Sequence, residues 1–185
     1  MTVGAAPDDF ADFVAHRSGA LLRTAFLLCG GDQGAAEDLL QDVLERAFSR
    51  WQRITGQPEP YLRAALANAA TNRWRTRSRR VTETTLLDVH QPSVAGHDAA
   101  IAERDQVVRA LAQVPPKMRA VLVLRFFDDL SEAQTAAAMG CSVGTVKSQT
   151  SRGLAALRKV MEGKPPVERG GPTISTLVAQ EGGSC

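Results

Sequence analysis

At 185 residues, 44% of them hydrophobic and 23% charged, the chain has the composition of one or two small folded domains. Its three cysteines lie far apart with no C-x-x-C pair and its three histidines are scattered, which argues against a disulfide framework, a zinc site or any resident cofactor. A net charge of +2 hides a segregated distribution: Tyr61 to Arg80 holds six arginines and no acid, while Asp32, Glu37, Asp38, Asp42 and Glu45 stand in a stretch without a base. One basic and one acidic surface suit two different macromolecular partners.

The opening MTVGAAPDDF has neither the basic region nor the apolar core of a secretory signal, and no run approaches the roughly 18 apolar residues of a membrane span. A soluble intracellular protein is expected. Asp8 or Asp9 can cap a first helix that carries Phe10, Phe13, Val14, Leu21, Leu22, Ala25 and Leu28 on one broad face, and Gly30 and Gly31 stop it. Asp32 then caps a second helix, in which Ala36, Leu39, Leu40, Val43, Ala47, Trp51 and Ile54 keep the helical period and point inward. Joined by a short loop, the pair is expected to pack as an antiparallel hairpin. Outside lies a row of Glu37, Asp38, Gln41, Asp42 and Glu45, like-signed or amide neighbours rather than ion pairs. Two readings are open: acids favoured by the helix dipole, or a docking strip for a basic protein surface.

GQPEP, from Gly56 to Pro60, marks a loop, and a third helix is expected from about Pro60. Tyr61, Leu62, Ala65, Leu66, Ala69 and Ala70 can pack on the hairpin, which leaves Arg63, Asn68, Asn72, Arg73, Trp74, Arg75 and Arg77 among the remaining positions. Arginines neutralise phosphates, Asn reads base edges, and an indole offers a plane for an unpaired base. Trp74 is thus either a core plug or a stacking platform. From Val81 to Ala99 the period decays into a flexible linker. Ile101, Val108, Leu111 and Val114 restore it, Pro115 and Pro116 interrupt it, and Met118, Val121, Leu122, Leu124 and Phe126 mark another helix.

From Leu130 to Lys159 the sequence reads as two helices around a tight turn. Ser131 and Gln134 are spaced as a capping box, Gly140 is placed to end the first helix in a left-handed conformation, and Ser142 can cap the second. Val143, Val146, Thr150, Leu154 and Leu157 make the second helix's inward stripe; Lys147, Ser148, Ser151, Arg152 and Lys159 fall on another side. Ala136, Gly140 and Val146 stand where a close helix crossing needs a small, a turn-tolerant and a plugging residue. This is the form of a helix-turn-helix recognition element. Beyond Gly163, KPPVERGGP and EGGSC read as a disordered tail. The fold expected is all-α: two small helical domains, 8–80 and 100–162, joined by the 81–99 linker and followed by the 163–185 tail.

From Asp8 to Met161 the chain resembles the small extracytoplasmic-function sigma factors of bacterial RNA polymerase. AAEDLLQDVLERAFSRW and KMRAVLVLRFFDDLSEAQTAAAMGCSVGTVKSQTSRGLAALR carry the resemblance, and SVGTVKSQTSRGLAALR looks like the actinobacterial SigE family. It implies that the first domain is sigma region 2 and the second sigma region 4. Asp38, Gln41 and Asp42 would dock on the clamp helices of the polymerase largest subunit, with the flap a further contact. Tyr61, Asn68, Asn72, Arg73, Trp74, Arg75 and Arg77 would capture the melted minus-10 element, beside a base pocket bordered by the Gln57 to Glu59 loop. Thr145, Lys147, Ser148, Ser151 and Arg152 would face the minus-35 duplex, with Thr145 and Lys147 available for phosphates. An anti-sigma factor is a usual partner in that family, though some members lack one, and the want of a long apolar run predicts no membrane association. The minus-10 helix is poorer in aromatics than that of housekeeping relatives, and Ser151 stands where some relatives carry a larger side chain. The competing function is a stand-alone dimeric helix-turn-helix regulator, which needs neither an acidic dock nor an Arg-rich, Trp-bearing helix. An enzyme would need clustered catalytic acids or metal ligands, which the sequence does not display.

Overall fold

The computed structural model describes residues 7–81 and 99–163, which form seven α-helices and one turn of 3-10 helix, Trp51–Arg53, with no strand among the described residues. The helices are α1 (Pro7–Leu28), α2 (Gln33–Phe48), α3 (Pro58–Val81), α4 (Ala99–Ala112), α5 (Pro116–Phe126), α6 (Glu132–Met139) and α7 (Val143–Glu162). Residues 82–98, where the linker is expected, and 164–185, where the tail is expected, lie outside the described residues.

Local chemistry sets most of the boundaries. Gly30 and Gly31 take φ of 70° and 89°, a region that costs a side-chain-bearing residue, and so release the chain from α1. Asp32 caps α2 by accepting a 2.9 Å bond from the Ala35 amide. The hairpin α1–α2 and the helix α3 close on Leu21, Leu39, Leu62 and Leu66, all fully buried. Three boundaries differ from the sequence expectation. α2 ends at Phe48 instead of running through Ile54, because the Ser49 hydroxyl donates to the Arg46 carbonyl at 2.9 Å, a local bond that competes with helix continuation. Trp51 is thereby turned onto Phe10 and Phe13, with ring centroids 4.9 and 5.2 Å apart. α1 starts at Pro7, before either aspartate proposed as its cap, and α3 starts at Pro58 rather than Pro60, each using a proline where no helical N–H is needed.

Helices α4 to α7 make a second unit around Leu111, Val114, Leu122 and Leu157. The two units are not separate bodies, however. Ala120, Val123 and Leu124 of α5, with Leu130 just after it, are buried in the same apolar cluster as Leu21, Leu62 and Leu66. Arg119 pins one end of this seam: its guanidinium donates to the Leu28 carbonyl at the end of α1 (3.2 Å) and to the Ala112 and Val114 carbonyls after α4 (3.0 and 3.2 Å). These are carbonyls that helix ends leave without partners. Asp128 pins the other, accepting a 2.7 Å bond from the Thr24 hydroxyl and facing the Arg63 guanidinium at 3.4 Å.

Burial pushes the Asp128 carboxyl above the usual aspartate range, opposed by the Thr24 hydrogen bond and the Arg63 charge, while Glu59 adds to the rise. Glu59 is itself held by Arg63 at 2.6 Å and Arg17 at 3.4 Å. A raised folded-state value means that the protonated form favours the fold: its contribution is full below about pH 3.9 and is lost as the pH climbs through the folded value. Asp128→Asn should therefore melt no lower than the parent at neutral pH, with the gap closing toward pH 4. Melting curves across that range would refute the assignment if the asparagine variant were the weaker one at neutral pH and level with the parent in acid.

Candidate nucleic-acid interface

The turn between α6 and α7 is specified almost atom by atom. The Ser131 hydroxyl accepts from the Gln134 amide (3.1 Å) while the Gln134 side chain accepts from the Ser131 amide (2.8 Å), so the capping box is complete. Gly140 sits at φ 60°, and the Ser142 hydroxyl accepts from the Thr145 amide at 3.1 Å. Val146 is fully buried and, with Ala136 and Val121, plugs the crossing. Two features depart from the sequence expectation. Val143 is 40% exposed, because it is the first residue of α7 and lies beyond the crossing, whereas Gly153 lies on the inward stripe. A Cβ on Gly153 would meet Leu122 of α5 at 3.1 Å, so the absent side chain lets α7 approach α5 closely. Thr145, Lys147, Ser148, Ser151 and Arg152 all lie exposed on the opposite side. Lys147 reaches Glu132 at 3.7 Å, an exposed pair of the kind worth about 0–1 kcal/mol and readily exchanged for a phosphate.

On α3 the candidate residues divide. Asn72, Trp74 and Arg75 are exposed along its second half, and Trp74, at 52% exposure, is no core plug: its indole is available as a plane. Tyr61, placed by periodicity among the packing residues, is 40% exposed instead. Arg77 lies on the same helix, its side chain outside the described residues. Asn68 is engaged, donating to the Ala138 carbonyl of α6 at 2.8 Å. Arg73 is engaged as well, through a 2.5 Å pair with Asp42 and longer contacts to the Ala35 and Asp38 carbonyls. Arg63, an outward position by periodicity, is tucked between Glu59 and Asp128. The sequence signal for this was present but faint: Glu59 and Arg63 are one helical turn apart in the order that favours a pair.

The acidic row of α2 also divides. Glu37, Asp38, Gln41 and Glu45 are exposed and Asp42 is half-buried, so the ridge is at the surface. Asp38 and Asp42 look onto a cleft of about 640 Å³ shared with Asn72, Arg73 and Trp74 of α3. Gln41 borders a different feature, an open apolar groove between α1 and α2 lined by Phe10, Leu22, Leu44 and Phe48. Phe48, 57% exposed, is the most exposed large apolar side chain of the described residues. Groove and ridge together make a face with an apolar floor and a negative rim. No group of metal-ligating side chains is found among the described residues, and none of their helices is long and apolar enough to cross a membrane.

A capped helix-turn-helix with an exposed polar row, set beside a basic helix with an open indole and an acidic ridge, suits a transcription initiation factor. Residues 13–80 match the family model for sigma-70 region 2 and residues 104–157 the model for sigma-70 region 4. The chain is 37% identical over 158 residues to the RNA polymerase sigma-E factor of Streptomyces avermitilis, covering 84% of this chain and 87% of that one. It is 39% identical over 155 residues to the sigma-E factor of Streptomyces coelicolor, covering 82% and 85%. Among solved structures it is similar to the sigma factor RpoE of Bartonella quintana in complex with the anti-sigma factor NepR, with a TM-score of 0.68 at 26% identity, covering 88% of this chain and 99% of that one. CnrH in complex with the cytosolic domain of CnrY shares the fold, with a TM-score of 0.61 at 20% identity over 87% of this chain and 92% of that one.

The chain belongs to the sigma-70 family of RNA polymerase sigma factors. Within it, it is a member of the extracytoplasmic-function group, and it directs promoter-specific transcription initiation together with core RNA polymerase.

Proposed function

We propose that the three exposed faces divide the work of initiation. Asp38, Gln41 and Asp42 dock on the clamp helices of the polymerase largest subunit, with the flap taking region 4. Tyr61, Asn68, Asn72, Arg73, Trp74, Arg75 and Arg77 capture the minus-10 strand. A flipped base costs a few kcal/mol, and stacking on an indole returns about 1–3 kcal/mol per base, so melting needs no nucleotide fuel. Thr145, Lys147, Ser148, Ser151 and Arg152 read the minus-35 duplex, with Arg152 the base-edge reader because a guanidinium bonds guanine through two donors. The observation that carries this assignment is the exposed row of α7, projected from a helix whose cap, turn and crossing residue are all in place. The domains are 8–80 for docking and strand capture and 100–162 for duplex reading. The protein acts in the cytoplasm as a specificity subunit without catalytic chemistry of its own, and an anti-sigma factor is a partner by analogy with the Bartonella complex.

Purified protein alone should bind promoter duplex weakly, and adding core polymerase should yield specific run-off transcripts from a subset of promoters. A tight, polymerase-independent footprint on palindromic DNA would instead make it a stand-alone dimeric regulator.

A further inference from the structure

We propose that Arg73 is a positioning residue of the polymerase dock: through Asp42 it ties the acidic ridge of α2 to α3, and the two side chains serve each other. This rests on the docking role assigned above and narrows it. Arg73 is withdrawn from the strand and Asp42 from the polymerase, which leaves Asp38 as the ridge aspartate that docks.

Geometry is the first support. The Arg73 guanidinium meets Asp42 Oδ2 at 2.5 Å and donates to the Ala35 and Asp38 carbonyls at 3.4 Å each. One side chain of α3 thus touches positions spread along about two turns of α2. A helical carbonyl keeps a second lone pair for such a donor, and a planar, forked cation can span several acceptors at once. Both the separation and the rotation of α2 against α3 are fixed by it. To meet a phosphate Arg73 has to leave every one of these groups, whereas Arg75, exposed two residues on, pairs with none of the described residues.

The choice of partner is the second support. Asp42 has Arg46 one turn along its own helix, in the order that favours a pair, yet it bonds Arg73, 31 residues away. Arg46 is exposed on the same cleft and makes no ion pair among the described residues. Elsewhere on the ridge Glu37 accepts from Gln33 at 2.7 Å and Glu45 from Gln41 at 3.0 Å. Among the described residues the Asp38 carboxylate has no partner, so it is the ridge charge offered whole to a basic surface. Arg46 also decides what removal of Arg73 does. A freed Asp42 is recaptured on α2, and the ridge loses its tether without gaining an open charge.

The test uses the full chain with core polymerase. Competition against labelled parent reads affinity for core, and salt titration of the saturated holoenzyme on a single-stranded minus-10 oligonucleotide reads phosphate contacts. Arg73→Ala should lower core affinity about 2- to 10-fold, in the lower range for residues in contact. Arg75→Ala should instead reduce the salt slope by about 0.7, the worth of one single-strand phosphate, a reduction that Arg73→Ala does not share. The reversed pair, Asp42→Arg with Arg73→Asp, remakes the tether without an aspartate at position 42 and should bind core more tightly than either single change. Should that pair fail to fold by circular dichroism, milder variants carry the test: Asp42→Asn and Arg73→Ala should cost the same and together no more, while Asp38→Asn adds in full to either. A gain in core affinity for Arg73→Ala, a flattened salt slope, a folded reversed pair without recovery, or additive losses for Asp42→Asn and Arg73→Ala overturns the assignment. Failure of the parent to bind core sinks the docking role itself; a parent that binds core beside any of those results sinks only the positioning.

Discussion

Trp51→Ala is expected to lower the stability of the protein by about 3–5 kcal/mol, the range for truncating a buried aromatic. The indole is buried with Phe10 and Phe13 packed against it, one of them edge-on, and such pairs add about 0.5–1.5 kcal/mol beyond area burial. Trp51→Phe should recover much of the loss, because the Trp51 ring nitrogen has no hydrogen-bond partner to forfeit. Urea unfolding checks both: the midpoint should fall with the slope unchanged, as it does when stability alone is altered. A loss below about 1 kcal/mol would mean that the 3-10 turn is not anchored as described. Phe10 also packs on Phe48 with ring centroids 5.1 Å apart, so the same truncation loosens the floor of the groove beside the proposed polymerase dock, and weaker polymerase binding is expected with it.

Arg152→Ala should lower discrimination at one minus-35 position by about 1–3 kcal/mol, or roughly 5- to 150-fold, since that is the worth of a two-donor contact to guanine. Arg75→Ala should instead weaken binding evenly across promoters and reduce the steepness of salt dependence by about one unit. The contrast follows from placement: Arg152 projects from α7, capped and crossed for groove entry, while Arg75 lies on an exposed helix beside Trp74. Competition binding of reconstituted holoenzyme to a panel of minus-35 variants reads both numbers. Equal losses for both substitutions on every promoter would overturn the division between base reading and phosphate contact.

Much of the fold was legible because it is written in local chemistry. The capping box at Ser131 and Gln134, the left-handed Gly140, the Asp32 and Ser142 caps and the inward Val146 are all decided within one helical turn, and each is found in place. The illegible parts are those set by distant partners. Nothing near Arg63 in the sequence announces Asp128, 65 residues away, and nothing near Asn68 announces the Ala138 carbonyl, 70 residues away. Periodicity assigned Tyr61 and Val143 to inward faces because it cannot see where a packing partner ends. It read α2 through Trp51 because Trp51 keeps the period, although the Ser49 hydroxyl has already ended the helix. Asp42 and Arg73 were assigned to different partners and prove to be paired with each other, a juxtaposition that only the packing of α3 on α2 creates.

Gly153 bears on how such a factor can change its target. Because α7 rests on α5 at a point where one residue has no side chain, the heading of the reading helix depends on the bulk facing Leu122. A methyl group added there would stand 3.1 Å from the Leu122 side chain, so either Leu122 gives by a few tenths of an ångström or α7 shifts and carries its exposed residues with it. With α7 as the proposed duplex reader, promoter preference would then be adjustable from an interior contact that never meets a base.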